Sequence, residues 1–200
     1  MGRRVVLASG NPGKLREFSE LLAGQGLEFS RQSDFGIEPP PETGTTFLEN
    51  ALIKARNAAR RTGLPAIADD SGIEVDALGG APGVWSARYA GEGASDEANL
   101  EKLLQALRGV PEARRGARYR CVIVYVRDAE DARPLVGDGT WEGRILDGRR
   151  GEGGFGYDPS FVPAGATLTA AEMSAADKHL VSHRGIALRA FLAQFDRERG

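Results

Sequence analysis

Cysteine is nearly absent: Cys121 is the only one in 200 residues. An internal disulfide is therefore excluded, and with two histidines in the chain a cysteine/histidine zinc cage is excluded as well. Cys121 lies in the apolar run RYRCVIVYV, where a small buried strand residue is expected rather than a nucleophile. Long hydrophobic runs are missing too, so no segment reaches the length of a membrane-spanning helix. At the start, MGRRVVLASG, two arginines precede only four apolar residues, too few for a signal-peptide core. A cytoplasmic location with no membrane partner is the expectation. Charge of one sign is also lacking. The formal net charge is −2, which leaves no broad basic surface for nucleic acid. Any anion must be held by a local pocket.

What is present is ordinary for a soluble globular chain: 41% hydrophobic and 27% charged residues. The length suits a single domain over residues 1–200, long enough to bury a core. Glycine is plentiful, 27 residues, and clusters in short loops, as where backbone turns tightly or approaches a ligand. The acidic, proline-rich stretch from Glu38 to Glu42 reads as a loop. Arg4 to Ala8 reads as a buried strand, and Lys14 to Ala23 as a helix with Leu15, Phe18, Leu21 and Leu22 on one face. Thr46 and Glu49 have capping-box spacing and open a helix that runs to Gly63. Pro65 to Ala68 is a short apolar strand ending at an acidic turn, and Ile73 to Leu78 alternates like a second strand. Ser95 caps a helix with Leu100, Leu103, Leu104 and Leu107 inward. Ala117 to Val126 is the strongest strand and Thr140 to Leu146 a weaker one. Ser182 to Arg197 forms the last helix, carrying Ile186, Ala190, Phe191 and Phe195. Strands and helices interleave, which favours a three-layer α/β architecture.

Five segments could carry chemistry. SGNPGK, Ser9 to Lys14, joins strand to helix; such a turn offers free N–H groups and a lysine to a phosphate, and equally suits a plain connection. It is not a Walker A loop, because Ala8 and Leu15 stand where that motif needs glycine and serine or threonine. In TTFLENALIKARNAA, Thr45 to Ala59, helical periodicity puts Leu48, Leu52, Ala55 and Ala59 on a core stripe. Asn50, Lys54 and Asn57 share another face with Glu49 at its edge, a solvated face or a functional one. Two asparagines inside a helix are costly to helix formation and favour the functional reading. ADDSG, Ala68 to Gly72, sets two carboxylates side by side, an arrangement that a cation or hydrogen bonds must hold. Mg²⁺ takes a few carboxylates and otherwise water or phosphate oxygens. GEGGFGYDP, Gly151 to Pro159, matches GxGxxG formally, but no helix opens after Gly156, so a dinucleotide role is rejected. A loop bearing Phe155 and Tyr157 can instead stack on a base. In SHRG, Ser182 is a good N-cap, so His183 and Arg184 project from a helix start that suits polar or anionic ligand atoms.

SGNPGK, TFLENALIKA, ADDSG, GGAPGVWSARYAG, GGFGYDP and SHRG, in this order, resemble the inosine/xanthosine triphosphate pyrophosphatases, from Val5 to Leu192. The resemblance implies an α/β fold, a long mixed β-sheet with flanking helices forming two lobes around a central nucleotide cleft. It also implies a homodimer and dependence on Mg²⁺. Ser9, Gly10, Asn11, Pro12, Gly13 and Lys14 would hold the triphosphate, with Lys54 adding charge. Asp70 would be the catalytic base and a metal neighbour, with Glu42 a Mg²⁺ ligand and Glu49 and Asp69 its rivals. Ser71 would touch substrate. Phe155, Gly156, Tyr157, Asp158, Lys178, His183 and Arg184 would frame the purine. The implied reaction splits dITP, ITP or XTP into a monophosphate and pyrophosphate, which keeps these bases out of DNA and RNA. Two other readings compete: a nucleotide sensor, which would not need Asp70, and a Mg²⁺-dependent phosphatase, which would release orthophosphate.

Overall fold

β-branched and apolar residues concentrate in the segments that become strands, where such side chains fit a pleated surface. The computed structural model describes residues 3–9 and 27–199. The expected helix from Lys14 to Ala23 and the loop residues Gly10, Asn11, Pro12, Gly13 and Lys14 lie outside them. The strands are β1 (Arg3–Leu7), β2 (Leu27–Arg31), β3 (Ala66–Val75), β4 (Gly116–Val126), β5 (Leu135–Ile145) and β6 (Phe161–Pro163). They form one sheet in the order β2-β1-β3-β4-β5-β6. β1 runs parallel to β2 and β3, and β5 antiparallel to β6, so the sheet is mixed. The α-helices are α1 (Phe47–Thr62), α2 (Asp96–Ala106), α3 (Ala175–Val181) and α4 (His183–Arg199).

The chain divides into two compact units. The first comprises Met1–Asp70, Val122–Asp138 and Ala187–Gly200. Its buried apolar side chains include Val5, Val6, Ile67, Ile123, Val124, Leu188 and Phe191. The second comprises Ser71–Cys121 and Gly139–Ile186. There Ile73, Val75, Leu100, Leu103, Leu107, Tyr119, Trp141, Ile145, Tyr157 and Phe161 form a continuous core. Cys121 is fully buried in β4 and outside any disulfide, as its apolar surroundings imply.

The capping box at the start of α1 forms as read. Glu49 N donates to Thr46 Oγ1 at 3.2 Å, and Thr46 N donates to Glu49 Oε2 at 3.1 Å. The buried face of the helix is not the expected one. Leu48 is 40% exposed and Leu52 only partly buried, whereas Phe47, Asn50, Ala51, Lys54, Ala55, Ala58 and Ala59 are buried. Ala55 and Ala59 belong to the core stripe, but Leu48 and Leu52 do not. Of the face that reads as polar, Asn50 and Lys54 turn inward, because neighbouring alanines bring the helix close and both find partners inside, while Asn57 is half-buried and Glu49 exposed.

ADDSG is no turn: β3 passes unbroken through Asp69 and Asp70, both buried. The two expected short strands are one, ending at Val75, and residues Asp76–Leu78 are a 3₁₀ turn. β5 begins at Leu135, five residues before the expected start. Ser182 caps α4 as read, accepting from Gly185 N at 3.3 Å, but the short helix α3 before it had no sequence signal strong enough to find.

The shifted burial of α1 is testable by chemical denaturation. Ala51→Leu should overpack the buried face and cost about 1–3 kcal/mol. Leu48→Ala should change stability by less than about 1 kcal/mol, as surface substitutions do. Equal effects would restore the leucine stripe to the core.

Candidate active site

In the first unit, one helix turn of α1 faces one residue of β3. Asn50 and Lys54 are four positions apart and so lie on the same side of the helix. Lys54 Nζ donates to Asp70 Oδ1 at 2.7 Å and to Glu42 Oε1 at 2.8 Å. Asn50, fully buried, donates from Nδ2 to Asp70 Oδ2 at 3.4 Å. Its Oδ1 accepts from Gly44 N at 2.8 Å. That contact fixes the backbone two residues beyond Glu42 and explains why position 44 is glycine. A Cβ there would come within 2.7 Å of Asn50 Oδ1 and 2.6 Å of Glu49 Cβ.

The electrostatics of this cluster follow from its burial. Desolvation alone would lower the Lys54 pKa, but the charges of Asp70, Asp69 and Glu42 outweigh it and hold the ammonium above the ordinary lysine range. Of the rival acids, Glu49 is committed elsewhere. Its Oε2 accepts from Thr45 N, Thr45 Oγ1 and Thr46 N, bonds that lower its pKa and make it a helix cap. Glu42, in the loop between Glu38 and Glu42, is the acid brought to Asp70 by a shared cation.

In the second unit a different carboxylate organises a second cluster. Asp158 is buried and accepts three bonds: from Lys178 Nζ at 2.5 Å, Phe155 N at 2.9 Å and Tyr119 OH at 3.1 Å. Gly154, at φ +72°, makes room for it, since a Cβ would come within 2.1 Å of Asp158 Oδ2. Lys178 Nζ lies 5.0 Å from the Phe155 ring centroid, and Arg184 Cζ lies 5.8 Å from it. Arg184 Nη2 donates to Ser71 Oγ at 3.3 Å. His183 stacks on Tyr119 with centroids 4.6 Å apart and planes 9° apart. Gly156 N donates to Asp96 Oδ2 at 2.9 Å. His183 and Arg184 are both buried rather than displayed on the surface of the helix start. Tyr157 turns into the core and donates to Ser86 O at 2.7 Å, so of the two aromatic residues in this loop only Phe155 keeps a partly exposed ring.

The fold that carries these two clusters is a known one. A model of the Ham1 family matches residues 5–194. The chain belongs to the Ham1 family. It is 58% identical over 190 residues to the dITP/XTP pyrophosphatase of Yersinia pseudotuberculosis, covering 95% of this chain and 96% of that one. It is 60% identical over 185 residues to the dITP/XTP pyrophosphatase of Methylococcus capsulatus, covering 92% of each. A Ham1 protein from Coxiella burnetii has the same fold, with a TM-score of 0.92 at 45% identity over 98% of this chain and 99% of that one. The mixed sheet with flanking helices is thus the Ham1 fold, and the α/β class expected from the sequence holds.

Within this Ham1 chain, Asn50 and Tyr119 belong to the two clusters although the motif reading assigns neither a role of its own. Asn50 left a signal, an asparagine inside a helix one turn before a lysine. Tyr119 left none, because a tyrosine in an apolar strand looks the same whether it only packs or also donates to a buried acid.

Tyr119 and Tyr157 give a pH test of the second cluster. Burial raises the Tyr119 phenol well above its ordinary range, and the Asp158 charge adds to the effect. Burial likewise raises Tyr157, with smaller contributions from Tyr89 and Asp96. Each folded pKa exceeds its unfolded value of about 10. Their contribution to stability is therefore complete below about pH 10 and is lost as pH rises beyond it. In an alkaline absorbance titration, at least two of the four tyrosines, Tyr119 and Tyr157 among them, should ionise only together with unfolding. Ionisation of all four before the loss of circular dichroism would contradict the burial of these two.

Proposed function

We propose that this chain hydrolyses non-standard purine nucleoside triphosphates such as dITP, ITP and XTP to the monophosphate and pyrophosphate. Family membership supports the reaction class. Convergence of Glu42 and Asp70 on one cation carries the assignment of residues, because a buried carboxylate with a second, partly buried one beside it is otherwise expensive.

The same pair fits a hard divalent cation. Among the described residues, no group of three or more histidine, cysteine, aspartate or glutamate side chains forms a metal cage. Mg²⁺ does not need one, since it binds through one or two carboxylates and completes its shell with water and substrate phosphate. Glu42 and Asp70 would hold it. When bound, the cation neutralises triphosphate charge and orients the phosphate oxygens. Lys54 would contribute a further positive charge to the phosphates, and Ser9 to Lys14 would bind them through backbone N–H groups and Lys14.

Water must attack the α-phosphorus in line with the departing pyrophosphate, a step driven mainly by positioning and charge neutralisation. Asp70 would accept the proton from that water. Asn50 fixes the Oδ2 side of this carboxylate, so the base meets substrate in one orientation. At the purine, Lys178 and Arg184 offer only donors. They can pair with the 6-oxo group of hypoxanthine or xanthine but cannot accept from the 6-amino group of adenine. A buried donor left unpaired costs about 1–3 kcal/mol, enough for useful discrimination. Phe155 offers a ring for stacking. Asp158 would act behind them, by orienting Lys178 and the Phe155 backbone.

Product analysis with dITP, XTP, dGTP and ATP is the direct test. Pyrophosphate and monophosphate should appear with dITP and XTP; orthophosphate would make the chain a phosphatase, and no turnover would leave a sensor. Asp70→Asn should lower kcat by about 100-fold or more, the range a positioned base supplies, with an unchanged circular dichroism spectrum. Near wild-type turnover would remove Asp70 from the chemistry.

Base choice is tested separately by Arg184→Ala. Its kcat/KM for dITP and XTP should fall about 10- to 100-fold, equivalent to one lost charge-assisted bond, while the value for ATP changes little. An equal fall for all three would make Arg184 a phosphate ligand.

A further inference from the structure

The two carboxylates that meet Lys54 stand on backbone that is held in place without it. Asp70 sits inside a continuous strand and is bonded by Asn50, which comes from α1. Glu42 leads into a loop whose backbone N–H at Gly44 is fixed by the same asparagine. Lys54, in contrast, reaches them on a long flexible stem and bridges both through one ammonium. The fixed parts of the cluster are therefore the Asp70 carboxylate and the backbone leading from Glu42, and the replaceable part is the cation on which the two acids meet.

That point is also where the residues suit Mg²⁺, so one position fits two cations. They cannot share it. The cluster is largely buried, with the Lys54 and Asp70 side chains 11% and 7% exposed, and like charges repel strongly where water is scarce. A divalent ion can enter only if the ammonium leaves, and a departing ammonium needs another anion. A triphosphate that arrives with the metal supplies one.

We infer that Lys54 is a resident counter-ion that keeps the metal position filled in the free protein and is exchanged for the divalent cation when metal and triphosphate bind together. This rests on the reading that Glu42 and Asp70 hold the metal. Three consequences follow from the exchange. The carboxylates stay compensated between turnovers. Metal alone binds weakly, because it must strand a buried lysine. Metal and nucleotide reinforce each other's binding by the same factor, as linkage requires.

Calorimetric titration with Mg²⁺ or Mn²⁺ in the absence of nucleotide tests this without reference to activity. Lys54→Met keeps the length of the side chain and removes its charge. It should bind the metal at least about tenfold more tightly than the wild type, the size of a modest coupling. With the α,β-methylene analogue of ITP present, wild-type affinity for the metal should rise by a similar factor, and the advantage of the variant should shrink. Metal binding by Lys54→Met that is no tighter than wild type overturns the exchange. Should that variant not fold, the wild-type protein decides by NMR of its lysine side chains. It has four lysines, Lys14, Lys54, Lys102 and Lys178, and Lys54→Arg identifies the relevant signal. The Lys54 signal should move when metal and analogue are added together and stay in place with metal alone at the same concentration. A signal that never moves overturns the proposal.

Glu42→Gln and Asp70→Asn separate this proposal from the reading beneath it. If neither weakens metal binding in the presence of the analogue, the metal is held elsewhere and both ideas fall. If both weaken it and Lys54→Met gains nothing, the metal site stands and the exchange alone fails.

Discussion

Asp70 sits in the middle of a strand in a sheet interior, a position that no carboxylate can occupy without compensation. The first unit's site is arranged around that constraint. Lys54 supplies the opposite charge and Asn50 the hydrogen bond, and both come from one face of α1. That face can turn inward because alanine fills its other positions, at Ala51, Ala55 and Ala58. Gly44 lacks a side chain for the same reason, since Asn50 and Glu49 occupy the space that a Cβ would take. A buried ion pair of this kind adds little net stability compared with apolar packing, although breaking it is costly. Its presence is better explained by chemistry than by folding.

The second unit solves a related problem in the opposite sense. Asp158 has partners on both carboxylate oxygens, Tyr119 on one and Lys178 and Phe155 N on the other. A carboxylate so fully engaged is poorly suited to meet a ligand itself. What it does is fix the ammonium of Lys178 above the Phe155 ring. Tyr119 ties this arrangement to His183 by stacking, so one strand residue orders two elements that are far apart in sequence. Rotamer freedom removed in the free protein need not be removed on binding, which is how preorganisation improves recognition.

The parts of this structure legible in the sequence are those governed by local rules. Thr46 and Glu49 could be read as a cap because capping is settled within four residues. Cys121 and the apolar run around it could be read as a buried strand by the same reasoning. The failures have a common origin in tertiary context. Leu48 and Leu52 look like a core stripe, and periodicity cannot tell that the alanine and asparagine side faces the sheet. Asp69 and Asp70 look like a turn, because no local rule allows two acids inside a strand without knowledge of the lysine sixteen residues earlier that meets one of them. Helix α3 is too short to generate a periodic signal at all.

Roles among the acids show where local reading ends and geometry begins. The family resemblance implies Glu42 as the acid beside Asp70, with Glu49 and Asp69 its rivals, and composition cannot rank them. The ranking comes from what each oxygen already does. Glu49 is bonded to backbone and hydroxyl donors of its own helix start, groups that cannot leave without unravelling the cap. Glu42 is bonded to an ammonium on a flexible stem, a partner that can move. An acid whose partners belong to the backbone is structural. An acid whose partner can depart keeps its charge available for something else. By that criterion Asp158, held by Phe155 N and Tyr119 OH as well as by the Lys178 ammonium, stands between Glu49 and Asp70. Motif membership places a residue near the chemistry, and the mobility of its partner decides whether it can take part.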